Sequence, residues 1–392
     1  MNRVAAKYVY TLETEVPILN GFVEYDDDGT IIRTGKADES DRILDGALIP
    51  GMVNAHCHLE LSHLQGKFRK STGMAGFIDQ INALRDWAGD EVKTELTYKW
   101  MEKLWQDGVS AIADISNDAS SFPVKQKSPI YTRTFLEVFG TEPHDCESVM
   151  ASVRELNKVA DSYGLDAAPT PHSCYTMSPQ LLSASAAAGL ESGYISYHSQ
   201  ESQEEEDLLI SGTGAMAENR RKAGMSTPPV TGESSLKYFL ERLAEVSAAP
   251  FEGHILMVHN VTLTQSDITE AKRLMKSPYW AICPLSNIFI HDALPPVELM
   301  RCNDLAICVG TDSLSSNDDL DMIAELYCIQ QSFPHVPMQE MLVWACLNGA
   351  KFLGKEDVLG SLAKGKRPGL VLVAGLDADG RLTRESRSRR IV

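Results

Sequence analysis

Residues 50–61 read PGMVNAHCHLEL, the continuation of an apolar run, ALIPGMVNA, that ends in His56 and His58 one residue apart. Side chains alternate along an extended segment, so positions i and i+2 share a face and the two imidazoles project together from one strand end. A histidine pair of this kind arises by chance, and a lone buried histidine is more often hydrogen-bonded core than ligand. The remainder of the chain has to decide between these readings.

Working outward, the apolar run is the first of eight strand-like segments: ALIPGMVNA, VSAIADIS, IYTRTFLEVF, LDAAPTP, GYISYH, HILMVHN, YWAICP and DLAICVGTD. Several are apolar on both faces, as parallel strands covered by helices are. Helical patterns lie between them, at Leu96–Gln106, Ser178–Ala188, Leu263–Met275 and Met338–Phe352. The second opens on Ser-Pro and is punctuated by Gly189. Eight strands alternating with helices favour a (β/α)8 TIM barrel over a doubly wound sheet. The chain ends differ. Residues 1–48 and 356–392 carry short strand-like pieces with DDDGT and DADG turn signals. They are expected to combine into one small β-sandwich beside a barrel spanning 49–355.

Composition bounds the function classes. The 392 residues are 43% hydrophobic and 23% charged, an ordinary globular balance. The formal net charge of −18 offers no basic field for nucleic acid or an anionic membrane surface, so neither is an expected partner. No stretch has the length of an apolar membrane span, and the N-terminus lacks a signal-peptide core. Eight scattered cysteines without a CxxC pair suit a reducing, cytoplasmic setting.

On a barrel the chemistry gathers where strands end at the C-terminal face. The first strand ends in His56-Cys57-His58, the fourth in His172, the fifth in His198, the sixth in His259 and the eighth in Gly310-Thr311-Asp312. Five of the ten histidines and one aspartate thus fall at equivalent positions. Three imidazoles and a carboxylate, with room left for water, is how catalytic zinc or iron sites are built.

These motifs, with LNGAKFLG and GSLAKGKRPGLVLV further on, resemble the amidohydrolase superfamily in its cytosine deaminase and chlorohydrolase-like branch across nearly the whole chain. The resemblance implies one divalent metal per subunit, zinc first and iron also compatible, held by His56, His58, His198 and Asp312. It implies Glu201, three residues past His198, as proton shuttle, with His259 and Asp312 orienting the attacking water. His172 corresponds to a substrate contact. Binuclear relatives carry a bridging lysine on the fourth strand; LDAAPTP has none, so a mononuclear site is expected.

The implied reaction is hydrolytic deamination of an aminated purine, pyrimidine or nucleoside-like compound. HLELS and GTDSLSSN look like the aminodeoxyfutalosine deaminase type. The same site suits a second chemistry, chlorohydrolase or cyclic-amide hydrolysis, and a third reading is a catalytically silent scaffold. Further substrate contacts are expected from Glu60, Gln65, Phe77 and Asn287. Gln65 stands where relatives often have arginine, which removes a charge from the substrate mouth and disfavours carboxylate-bearing substrates. Glu204–Asp207 reads as a solvated acidic first turn of a helix, and residues 212–235 as a long active-site loop. A homodimer is the commonest symmetric assembly for such a chain.

Overall fold

The computed structural model describes residues 1–392. Four strands precede the barrel: β1 (Asn2–Val9), β2 (Ile18–Tyr25), β3 (Ile31–Lys36) and β4 (Ile43–Pro50). Eight follow in the barrel: β5 (Met52–Cys57), β6 (Val109–Ser116), β7 (Tyr131–Val138), β8 (Asp166–Pro171), β9 (Tyr194–Ser199), β10 (His254–His259), β11 (Tyr279–Ile282) and β12 (Ala306–Val309). The chain closes with β13 (Leu370–Ala374) and β14 (Arg387–Arg390).

The chain ends join, as expected, although hydrogen bonding runs through a single six-stranded sheet in the order β14-β13-β4-β1-β2-β3. Only β1 and β4 pair in parallel there. The apolar run ALIPGMVNA is two strands, not one. Its first half ends β4, where Leu48 faces Leu372 and Pro50 faces Leu370. Its second half, from Met52, starts the barrel beside Val109. The break falls at Gly51, where a Cβ would collide with the Ser110 hydroxyl and the Pro368 carbonyl, so only glycine lets the chain cross from sheet to barrel there.

The barrel strands form two parallel four-stranded ladders, β5-β6-β7-β8 and β9-β10-β11-β12. Two seams join them. At one, the His198 N–H donates to the His172 carbonyl at 2.9 Å. At the other, Thr311 and Asp312 N–H groups donate to the His56 carbonyl at 3.1 and 3.0 Å. Gly310 permits that second seam: a Cβ there would lie 2.8 Å from His56 backbone and Cβ atoms. Both seams therefore run through residues of the expected site.

Both faces of the strands are buried. Ala111, Ala113, Phe135, Leu256, Val258 and Cys308 share a compact core, whereas the alternating Ile112, Leu136, Ile255, Met257 and Ile307 join the larger core shared with the helices. The helix expected to stop at Gly189 continues through Pro179–Ser192 and ends on Gly193 in the left-handed region, φ 81°. Ser178 caps its start by accepting from the Leu181 N–H. Residues 212–235 are not an unstructured loop: Gly214–Ala223 is a helix. Beyond that helix the Ser226 N–H and hydroxyl bind Glu142 at 2.8 and 2.7 Å.

Candidate active site

The strand ends converge. The His56 and His58 Nε2 atoms lie 3.2 Å apart, and Asp312 Oδ1 sits 3.7 and 3.5 Å from them. The His198 ring centroid lies 4.7 Å from that of His56, and the His259 centroid 5.6 Å from it. All of these side chains are buried. Asp312 is held by Ser286 Oγ and Ser316 Oγ, which donate to Oδ2 at 2.6 and 2.9 Å, and by the Ser313 N–H on Oδ1 at 2.7 Å.

The rim is strained. Gln200, His259, Asn260 and Asp312 have φ between 51° and 76°, a region that costs a non-glycine residue energy. Such outliers persist only where surroundings over-determine them, and they cluster at functional sites. Burial pushes the proton affinities of His56, His58, His198 and His259 down, so the rings are neutral. The contacts with Asp312 are accordingly not charged pairs. Neutral imidazoles are the form that ligates a metal.

This donor set fits a divalent cation. Two Nε2 atoms and a carboxylate oxygen crowd one point with no cationic side chain to compensate, and the buried His259 Nε2 has no hydrogen-bond partner. His56, His58 and Asp312 lie close enough to share one ion, as do His56, His198 and His259, and also His58, Glu137 and His198.

Glu201 reaches the same chamber. Its Oε1 is 3.5 Å from His259 Nε2, and its Oε2 accepts the Tyr175 hydroxyl at 2.7 Å. Burial lifts its carboxyl to about 8, with the Asp312 charge adding and the Tyr175 hydroxyl opposing. Asn287 Nδ2 donates to His259 Nδ1 at 3.1 Å, which leaves the neutral ring's proton on Nε2, facing Glu201. Asn287 thus orients His259 and does not line the cavity.

The cavity runs outward from His58, His198, Glu201 and Asp312 to Phe77 and Phe139. His172 and Glu60 also line it. His172 stacks on His198 with centroids 4.4 Å apart, and burial takes its ring down to about 3. Glu60 accepts from the Asn117 and Asp118 N–H groups at 2.6 and 3.1 Å, and burial raises its carboxyl to about 8. Phe77 lines the cavity and packs on Phe68 at 5.5 Å between centroids. Gln65 stays outside: it is exposed and donates to the Asp318 carbonyl.

Several residues escaped the sequence reading. Glu137, at the end of β7, points one carboxylate oxygen at His198 Nδ1 (3.5 Å) and His172 Nε2 (3.8 Å), while Asn117 donates to the other at 3.1 Å. Tyr175 had no spacing signal. Glu205 and Glu206 were expected to be solvated and are buried. Glu205 accepts the N–H groups of Gln200 and Glu201 at 3.1 and 2.7 Å, fixing the turn that carries Glu201. Beneath His58, Asp114 accepts the Leu59 N–H at 2.8 Å and pairs with the fully buried Lys125 at 2.5 Å.

A barrel with this rim defines the class of barrel hydrolases. The chain belongs to the amidohydrolase family, whose model, described as "Amidohydrolase family", matches residues 47–390. Among curated relatives, a 5-methylthioadenosine/S-adenosylhomocysteine deaminase of Moorella thermoacetica is 26% identical over 356 residues, covering 86% of this chain and 76% of the relative. Among solved structures, the Helicobacter pylori aminofutalosine deaminase in complex with methylthio-coformycin superposes with a TM-score of 0.80 at 20% identity, over 100% of both chains. The atrazine chlorohydrolase TrzN of Arthrobacter aurescens TC1, complexed with zinc, gives a TM-score of 0.72 at 17% identity, over 98% of this chain and 90% of that one. These structural likenesses establish the fold.

Proposed function

We propose that this chain is a metal-dependent deaminase that removes the amino group from an aminated purine carried on a nucleoside-like substrate. The observation that carries the reading is the buried Glu201 carboxyl, beside His259 and facing the same chamber as the His56–His58–Asp312 cluster. The deaminase names of its relatives support the same bond. Zinc is the ion we assign, one per chain, by analogy with zinc-bound structures of the same fold.

A divalent cation in this site supplies Lewis acidity that takes the pKa of water from about 16 towards 7. The protein's own groups do the rest. The Nε2–H of His259 and the carboxylate of Asp312 orient the water towards the amino-bearing ring carbon. Glu201 takes one proton from that water and passes it to the neighbouring ring nitrogen as the oxygen adds to the ring carbon; it then carries the remaining hydroxyl proton to the amino group as the carbon–nitrogen bond breaks. Ammonia departs and a ring carbonyl remains. His172, Glu60 and Phe77 line the chamber in which the ring would sit.

The test is a screen of aminated purines and their nucleosides for ammonia release by zinc- and iron-loaded protein. A second reading, loss of chloride from a ring, is favoured by the likeness to the atrazine chlorohydrolase. Chlorinated ring analogues are therefore included in the screen, and chloride release from them without ammonia from the aminated compounds would replace the first reading with the second.

A further inference from the structure

Two buried polar atoms without a hydrogen-bond partner face each other beside the strand ends: Glu137 Oε1 and His198 Nδ1, 3.5 Å apart. The same oxygen lies 3.8 Å from His172 Nε2, because the His172 and His198 rings stack. The two rings differ in what they need. His172 Nδ1 already meets the Ser173 and Thr176 hydroxyls at 2.7 and 2.9 Å. His198 Nδ1 has only Glu137 within reach.

The far oxygen of Glu137 is held in place. Asn117 Nδ2 donates to Oε2 at 3.1 Å, and the Asn117 N–H is anchored on Glu60 at 2.6 Å. The ionisable partners close to Glu137 are these two imidazoles, with no lysine or arginine among them. A carboxylate buried without a cation costs free energy, so its retention calls for a group that compensates it. An imidazole N–H is such a group, and it becomes a stronger donor when the ring's other nitrogen binds a metal ion. A neutral imidazole carries one proton. Placed on Nδ1, towards Glu137, that proton leaves the Nε2 lone pair free for an ion.

We propose that Glu137 is a positioning residue for the metal centre: it accepts the Nδ1–H of His198 and so fixes the tautomer and orientation that present Nε2 to the ion. This rests on the metal reading of the site and goes beyond it. Glu137 also lies close enough to His58 and His198 to be a ligand itself, and replacement separates the two roles. Glutamine keeps an acceptor oxygen for the His198 N–H but does not replace an anionic ligand.

The experiment measures zinc affinity and stoichiometry by chelator competition on full-length wild type, E137A and E137Q, beside thermal unfolding of the metal-free proteins and ammonia release. E137A should bind zinc about 10- to 100-fold more weakly, still one ion per chain, the scale of losing a group that orients a ligand. E137Q should recover part of that loss, and the metal-free variants should unfold no earlier than the wild type. Unchanged zinc affinity in E137A overturns the proposal, as does a raised KM with unchanged zinc affinity, which would tie Glu137 to His172 and the substrate. E137Q as weak as E137A makes Glu137 a ligand and overturns the positioning role. Earlier unfolding of metal-free E137A overturns it too, as general damage to the fold. A wild type that takes up no zinc overturns the metal reading, and the role of Glu137 with it. The predicted affinity pattern without any ammonia release overturns the deaminase reading and leaves the role of Glu137 standing.

Discussion

Removing the hydroxyl of Tyr175 changes one contact, and its effect on Glu201 can be worked out. The hydroxyl is buried and donates to Glu201 Oε2 at 2.7 Å. A hydrogen bond to a charged group contributes about 1.5–3 kcal/mol, and it stabilises the ionised carboxylate. One pKa unit corresponds to about 1.4 kcal/mol, so Tyr175→Phe should raise the Glu201 pKa by about 1–2 units. The sign follows from the existing balance: burial already lifts this carboxyl to about 8, and the Tyr175 hydroxyl is the group opposing it. Glu201 must be ionised to accept the water's proton, so activity rises as pH rises through its pKa. The acidic limb of the kcat/KM profile, followed by ammonia release, should therefore move to higher pH in Tyr175→Phe while the bound metal is retained. An unmoved limb, or one displaced to lower pH, refutes the role given to this pair.

Three further outcomes are expected. Glu201→Gln should keep its metal and lose more than about 10²-fold in turnover, the scale of general acid–base contributions; metal loss in this variant would place Glu201 among the ligands. Gly310→Ala should weaken metal binding as well as stability, because the added methyl meets His56 at 2.8 Å and pushes apart the seam that carries Asp312; titration of zinc affinity checks this. Lys125→Met should lower the unfolding free energy by about 3–5 kcal/mol in a denaturant titration, since it strands the fully buried Asp114 carboxylate.

The eight strands and the convergence of their histidine and aspartate ends were legible because they depend on local pattern. Two-residue alternation puts His56 and His58 on one face, and an apolar run ending in a histidine or aspartate marks a barrel rim wherever it occurs. What stayed hidden depends on contacts distant in sequence. The split at Gly51 leaves no local trace, since ALIPGMVNA is apolar throughout and the obstruction comes from Ser110 and Pro368. Glu205 and Glu206 look like a solvated acidic turn until the N–H groups of Gln200, Glu201 and Ser235 are brought to them. Glu137 had a faint signal, a lone carboxylate in an otherwise apolar strand end, but its purpose appears only when His172 and His198 arrive from other strands. Gln65 shows the same limit in reverse: proximity to the HxH motif suggested it, and the cavity does not contain it.

The most direct test of the whole account is the metal content of purified protein measured beside the His198→Ala variant. The account predicts about one divalent ion per wild-type chain, lost together with ammonia release when His198 is removed. Wild-type protein that holds no divalent ion above background, or a His198→Ala variant that keeps both its ion and its activity, contradicts it.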